Sequence, residues 1–132
     1  MLAAFPLLAI VVVIYNVLIL FGDGAVGLPL ATFHLLSGAT WSSTVGDLLV
    51  VMGLLLLYGE IFKATRSGTA SILDHLFSML LFVICLIEFI ALPSFGTSIF
   101  FFIMMMTFID VIAGFTVGIQ TARRDFGVDQ RL

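Results

Sequence analysis

The sequence predicts an all-α membrane protein, an up-down-up-down bundle of four transmembrane helices. The chain of 132 residues is 62% hydrophobic and only 10% charged, with a mean hydropathy of +1.31, whereas a soluble domain has roughly 25% charged residues. Four apolar runs, residues 2–21, 44–62, 72–92 and 97–120, are each about long enough to cross a hydrocarbon layer of roughly 30 Å. Lipid offers the backbone no hydrogen-bonding partners, so each run is predicted to be helical.

The first run is interpreted as a retained helix. Its opening residues contain no Lys or Arg, and the apolar run continues to Phe21, longer than the apolar region of about 7–15 residues in a signal peptide. Cleavage near Ala25 is the alternative. Pro6 falls in the first turn of this helix, where its missing N–H has no cost.

The starts of helices 2 and 3 carry the same short motif. Thr44 and Asp47 are three residues apart, as are Ser71 and Asp74, a spacing typical of a capping box at a helix N-terminus. Pro93 is expected to end helix 3. The turn that follows is very short, so helices 3 and 4 are predicted to form an antiparallel hairpin.

The basic residues predict the orientation. All five lie after helix 2 or after helix 4: Lys63, Arg66, Arg123, Arg124 and Arg131. The positive-inside rule therefore places the connection between helices 2 and 3 and the tail, residues 121–132, on the cytoplasmic side. Four crossings then put the N-terminus inside as well. The expected location is a bacterial inner (plasma) membrane.

One connection, residues 22–43, is long and is predicted to be outside. Its apolar stretch Leu28–Leu36 has Pro29 where a helix would begin and Gly38 where it would end. Nine residues cannot span a bilayer, so the stretch is expected to lie flat at the outer interface or to enter the membrane as a re-entrant segment. Trp41 favours the interface.

Several ionisable side chains have a structural explanation. Asp47 and Asp74 are expected to cap helices, because a carboxylate suits the N-terminal end of a helix dipole. Glu60 precedes Lys63 by three residues, so an ion pair at the membrane interface is expected. His75 is interpreted as an ordinary interfacial histidine.

A predicted intramembrane polar cluster remains: Asn16, Glu88, Thr107 and Asp110. At 1.5 Å per residue these side chains fall within one or two helical turns of the same depth. No Lys or Arg is predicted at that depth, so at least one carboxyl group is expected to be protonated at pH 7. Two interpretations stay open: hydrogen bonds that clamp the helices together, or a site that binds a proton or cation.

Helix 4 carries a predicted packing motif. Asp110, Gly114 and Gly118 are four residues apart and therefore share a face. Two small residues at that spacing let helix backbones approach closely, either within the chain or against another subunit.

Other classes of function are disfavoured. A net charge of −3 argues against a nucleic-acid partner. His34 and His75 are predicted on opposite sides of the membrane, which argues against haem, and no cofactor or metal site is predicted. Cys85 is interpreted as a small core residue. A catalytic group would require Asp74 and His75 with Ser71 or Ser78, but capping already explains Ser71 and Asp74.

The leading functional prediction is a non-enzymatic accessory or assembly subunit, or a self-associating bundle, which contacts lipid and associates through helix 4. The alternative is a small proton- or cation-coupled transporter that uses Glu88 and Asp110.

Overall fold

The computed structural model describes residues 4–65 and 69–129, which form four helices and one two-stranded antiparallel sheet. We number these elements in chain order: α1 (Leu8–Phe21), β1 (Pro29–His34), β2 (Thr40–Thr44), α2 (Val45–Ala64), α3 (Thr69–Ala91) and α4 (Ser98–Asp129). Short 3-10 turns lie at Ala25–Gly27 and Pro93–Phe95.

Three of the described helices are long and apolar enough to cross a membrane. Their apolar spans are Val45–Ala64, Ser71–Ala91 and Ser98–Gln120, whereas α1 is apolar but shorter. The first helix is predicted to begin at residue 2, which lies outside the described residues. For residues 4–7 the prediction is wrong, because α1 begins at Leu8, just after Pro6. Proline has no N–H and disfavours helical backbone in the residue before it, so regular helix starts on its C-terminal side. Fourteen residues give α1 a length of about 21 Å.

The start of α2 is as predicted. The Thr44 hydroxyl accepts a hydrogen bond from the Asp47 N–H (3.2 Å), and an Asp47 carboxylate oxygen accepts one from the Thr44 N–H (2.9 Å). These reciprocal bonds satisfy two N–H groups that have no partner inside the helix. The capping box at Thr44 is therefore confirmed.

The corresponding prediction at Ser71 is wrong. Helix α3 begins at Thr69, so Ser71 and Asp74 lie inside the helix rather than at its cap. The short turn Pro93–Phe95 does end α3, and α4 follows at once as an antiparallel partner. Helix α4 also continues to Asp129, well beyond the predicted end at Gln120.

The connection between α1 and α2 is a β-hairpin, so the helix expected over Leu28–Leu36 is wrong. Gly38 has φ +86° and forms the turn between the strands, a conformation that favours glycine. The aromatic and β-branched residues of β1 and β2 suit a strand better than a helix.

The centre of the bundle is the contact between α2 and α4, which run parallel. Gly46 faces Ile99, and Gly53 faces Met106; an added Cβ at Gly53 would lie 2.7 Å from Met106 Sδ. The two glycines are seven residues apart and so lie on one face of α2. The remaining core side chains come from all four helices and include Leu8, Val11, Tyr15, Leu49, Leu57, Cys85, Phe100 and Ile103.

Helix α3 packs antiparallel to α4, as aromatic pairs along their length show. The ring centroids of Phe89 and Phe101 are 5.8 Å apart, and those of Phe82 and Phe108 are 5.2 Å apart. Helix α1 runs antiparallel to α2: Leu7 lies against Gly59, and Val26, beyond the end of α1, lies against Gly46. The bundle thus has a hairpin end, at β1 and β2, and a Lys63 end.

Candidate functional site

The four side chains of the predicted polar cluster fall into separate groups. Asn16 Nδ2 donates to Glu88 Oε2 (3.3 Å) and to the Val12 carbonyl (2.9 Å), towards the hairpin end. The Thr107 hydroxyl donates to the Met104 carbonyl of its own helix (2.6 Å). The structure therefore joins α1 to α3 through Asn16 and Glu88, but it does not bring Asp110 to them.

The position of Asp110 along α4 explains the separation. Glu88 is adjacent to Phe89, which packs on Phe101. Asp110 follows Phe101 by nine residues, or about 14 Å along the helix axis. Asp110 is hydrogen-bonded instead to the Ser78 side chain, one turn after Asp74 on α3. It belongs to the Lys63 end of the bundle.

A group of charged side chains fills the interior at that end. We call Glu60, Lys63, Asp74, Ser78 and Asp110 the Lys63 cluster. Lys63 Nζ lies 3.0 Å from Asp74 Oδ1 and 3.5 Å from Glu60 Oε1. The predicted pairing of Glu60 with Lys63 is therefore present. Asp74 is a second partner, although its spacing from Ser71 predicts a helix cap.

The cluster also holds the start of α1. Glu60 Oε1 accepts a hydrogen bond from the Leu7 N–H, and Lys63 Nζ donates to the Phe5 carbonyl at 2.7 Å. Because Leu7 is at the N-terminal end of α1, Glu60 supplies from α2 the carboxylate that a capping residue would supply locally. Four elements thus meet at this cluster: the segment before α1, and helices α2, α3 and α4.

The cluster has more carboxylates than cations, and it is buried. Glu60, Asp74 and Asp110 are 1%, 8% and 5% exposed, respectively. Lys63 is the single ammonium group facing them among the described residues, and both Asp74 and Lys63 interact electrostatically with Asp110. If all three carboxyl groups were ionised, the cluster would carry a formal charge of −2. Uncompensated charge of this kind is costly in a protein interior.

One carboxylate oxygen in the cluster is unsatisfied. Glu60 Oε2 is buried and has no hydrogen-bond partner in the described part of the chain. Buried polar atoms nearly always have a partner, and a proton, a water molecule or an ion would each satisfy this oxygen.

His75 lies beside the cluster, against α4. Its ring packs on Gly114, where an added Cβ would lie 2.4 Å from His75 Nδ1, and it meets Phe115 edge-on at 4.5 Å. Gly114 therefore makes room for a side chain of α3 within the same chain. Among the described residues, an added Cβ at Gly118 would meet nothing within 4 Å, so this second glycine of the predicted motif faces away from the described part of the bundle.

The contacts of the Lys63 cluster and His75 bear on two kinds of chemistry, nucleophilic catalysis and metal binding. Asp74 pairs with Lys63, Ser78 bonds to Asp110, and His75 Nε2 has no hydrogen-bond partner in the described part of the chain. These contacts do not form the Ser–His–Asp relay that nucleophilic catalysis requires. Within residues 4–65 and 69–129, no group of three or more His, Cys, Asp or Glu side chains is placed to hold a metal ion.

Comparisons with protein-family models, with curated proteins and with solved structures find no match to this chain.

Proposed function

We propose that this chain is a non-enzymatic, multi-pass membrane protein that binds and releases a proton at the Lys63 cluster, and that it acts as a small transporter that carries protons across the membrane. The observation that carries the proposal is the surplus of buried carboxylates around Lys63, one of which keeps an unsatisfied oxygen. Ionisable groups inside a membrane bundle are expensive and typically mark proton or ion pathways. Compared with the sequence-based alternative, Glu60 and Asp74 take the place of Glu88 as the partners of Asp110.

We further propose that α1 is a fourth membrane-crossing helix and that both chain ends lie in the cytoplasm of a bacterial cell. Leu7 lies level with Gly59 and Val26 lies level with Gly46, which supports the view that the segment from Leu7 to Val26 covers nearly the same height as α2. Lys63 and Arg123 follow two of the long apolar spans at the end opposite the β-hairpin. The positive-inside rule makes that end cytoplasmic.

A proton at this site would change the partners of Lys63. When Glu60 is protonated, Lys63 has a stronger attraction to Asp74, because one competing negative charge is removed. When the proton leaves, Glu60 again attracts both Lys63 and the Leu7 N–H. Glu60 and Lys63 are also hydrogen-bonded to the start of α1. Proton exchange would therefore shift the position of α1 relative to α2 and α3.

Proton flux in reconstituted vesicles tests this function. With a pH-sensitive dye inside and an imposed pH gradient, wild type is expected to collapse the gradient faster than protein-free vesicles. Glu60→Gln and Asp110→Asn are expected to reduce the rate to the protein-free level, because neither amide can exchange a proton in this way.

Glu88→Gln is the matched control for that experiment. Glu88 is also a helix carboxylate with an intrachain hydrogen bond, but it lies outside the Lys63 cluster, so this variant is expected to keep the wild-type rate. Absence of protein-dependent flux in wild type, or unchanged flux in Asp110→Asn, would rule the proposal out.

A second candidate is the assembly role, because the distal part of α4 presents an open surface. Gly118 has no neighbour within 4 Å of an added Cβ among residues 4–65 and 69–129, and Phe115 and Ile119 beside it are half-exposed. Close approach at a glycine is a common way for membrane helices to associate. The partner in this proposal is a second copy of the chain or another membrane protein.

Gly118→Ile separates this role from proton exchange. The added side chain meets open space within the chain, so the monomer is expected to fold normally while any oligomer formed through this surface is lost. Molar mass by light scattering in detergent measures the result. An oligomer that persists unchanged in Gly118→Ile would show that this surface is not the contact.

A further inference from the structure

The β-hairpin is an exposed element that the proton site does not use. Strands β1 and β2 pair antiparallel, with Phe33 opposite Trp41 and Thr32 opposite Ser42. Every residue of β1 is exposed, and Phe33 and Trp41 are 48% and 51% exposed. The bundle therefore does not cover this sheet.

The two faces of the hairpin differ in chemistry. Residues directly opposite each other share a face, and successive residues alternate between faces. One face carries the stacked rings of Phe33 and Trp41, whose centroids are 5.5 Å apart, together with Ala31 and Ser43. The other face is polar over Thr32 and His34 and their partners Ser42 and Thr40, and the hydroxyls of Thr32 and Ser42 are 3.0 Å apart. Leu30 lies at the irregularity in register before Ala31, outside this polar part. The hairpin is thus amphipathic with both faces open.

The hairpin also lacks charge. Between Asp23 and Asp47 the chain has no Asp, Glu, Lys or Arg over 23 residues. Leu28, Leu30 and Leu36 are more than half exposed in the same region, and the exposed apolar surface continues onto the adjoining ends of α1 and α2. An uncharged aromatic face continuous with apolar helices fits a lipid interface better than bulk water.

The unpaired backbone groups at the edges of the sheet limit how deep the hairpin can lie in a bilayer. A two-stranded sheet leaves unpaired N–H and C=O groups on both outer edges, and hydrocarbon cannot satisfy them. The headgroup layer contains water and polar atoms, so it can. We infer that the hairpin lies in the headgroup layer of the bilayer, with the Phe33–Trp41 face turned towards the acyl chains and the Thr32–Ser42 face turned towards water.

Trp41 is the single tryptophan of the chain and reports directly on this inference. The full chain is reconstituted in phosphatidylcholine vesicles, and tryptophan emission is quenched by lipids brominated near the headgroup, by lipids brominated near the chain end, or by aqueous iodide. An interfacial Trp41 is expected to be quenched about twofold more by the first lipid than by the second, with weak quenching by iodide. Strong iodide quenching would overturn the inference, and so would shielding from all three quenchers, which would indicate a protein partner.

Matched variants on the two faces complete the test. Phe33→Asn places a polar amide on the aromatic face and is expected to increase iodide quenching and decrease lipid quenching of Trp41. Thr32→Asn places the same amide on the polar face and is expected to leave both close to wild type. Equal effects of the two variants would overturn the proposed orientation. Neither result depends on proton flux, so this inference stands or falls separately from the proposed function.

Discussion

Replacing Lys63 with methionine is expected to lower the free energy of unfolding by about 2 kcal/mol, because removing one partner of a largely buried ion pair leaves uncompensated charge behind. Lys63 contacts Asp74 at 3.0 Å and Glu60 at 3.5 Å, and it also donates to the Phe5 carbonyl. The change therefore loosens contacts among α2, α3 and the segment before α1. Loss of helicity during titration with a denaturing detergent measures the effect.

The matched controls separate charge from packing. Lys63→Arg keeps a cation and is expected to stay near wild-type stability. Adding Asp74→Asn to Lys63→Met returns the formal charge of the cluster to its wild-type value, so the double variant is expected to recover part of the loss. If Lys63→Met unfolds at the wild-type detergent concentration, the cluster does not hold these elements together.

The second large effect is expected at the contact between α2 and α4. Gly53→Ile is expected to destabilise the bundle by about 2 kcal/mol, because overpacking a tight helix contact forces side chains or backbone to shift. An added Cβ would already lie 2.7 Å from Met106 Sδ, and isoleucine adds three more carbon atoms beyond it. The same detergent titration measures the loss.

Gly118→Ile is the control, since it makes the same substitution inside a helix where an added Cβ meets nothing within 4 Å. Removing a helical glycine there is expected to leave stability unchanged or slightly raised. Equal stability of the two variants would contradict the view that α2 and α4 pack through Gly53.

Local signals in the sequence predicted much of the fold. The capping box at Thr44 and the short turn at Pro93 act through neighbouring residues, so they could be recognised without knowledge of the fold. The sequence does not predict the β-hairpin, because Pro29 and Gly38 also suit the start and end of a helix. The nine residues of the apolar stretch Leu28–Leu36 suit a helix or a strand equally well. The signal in favour of strands was the aromatic and β-branched content of β1 and β2 on either side of the turn.

The sequence predicts only part of the Lys63 cluster. Glu60 and Lys63 lie three residues apart on one helix, a spacing that predicts contact. The sequence predicts a capping role for Asp74 because it does not show that α3 begins earlier, at Thr69. Asp74 has the opposite charge to Lys63 and follows it after a short connection. This was the signal in the sequence for the ion pair.

By itself, the sequence predicted a chain built mainly from apolar helices, because length and hydropathy act directly on the local backbone. It predicted four membrane-spanning helices, and the structure has three that are long and apolar enough to cross a membrane. Only the tertiary structure decided which polar side chains meet. Helices that are apolar nearly all round carry little information about which face turns inward. The rotation of each helix, set by close contacts such as Gly53 with Met106 and Gly114 with His75, placed Asp110 beside Lys63 and left Glu88 with Asn16.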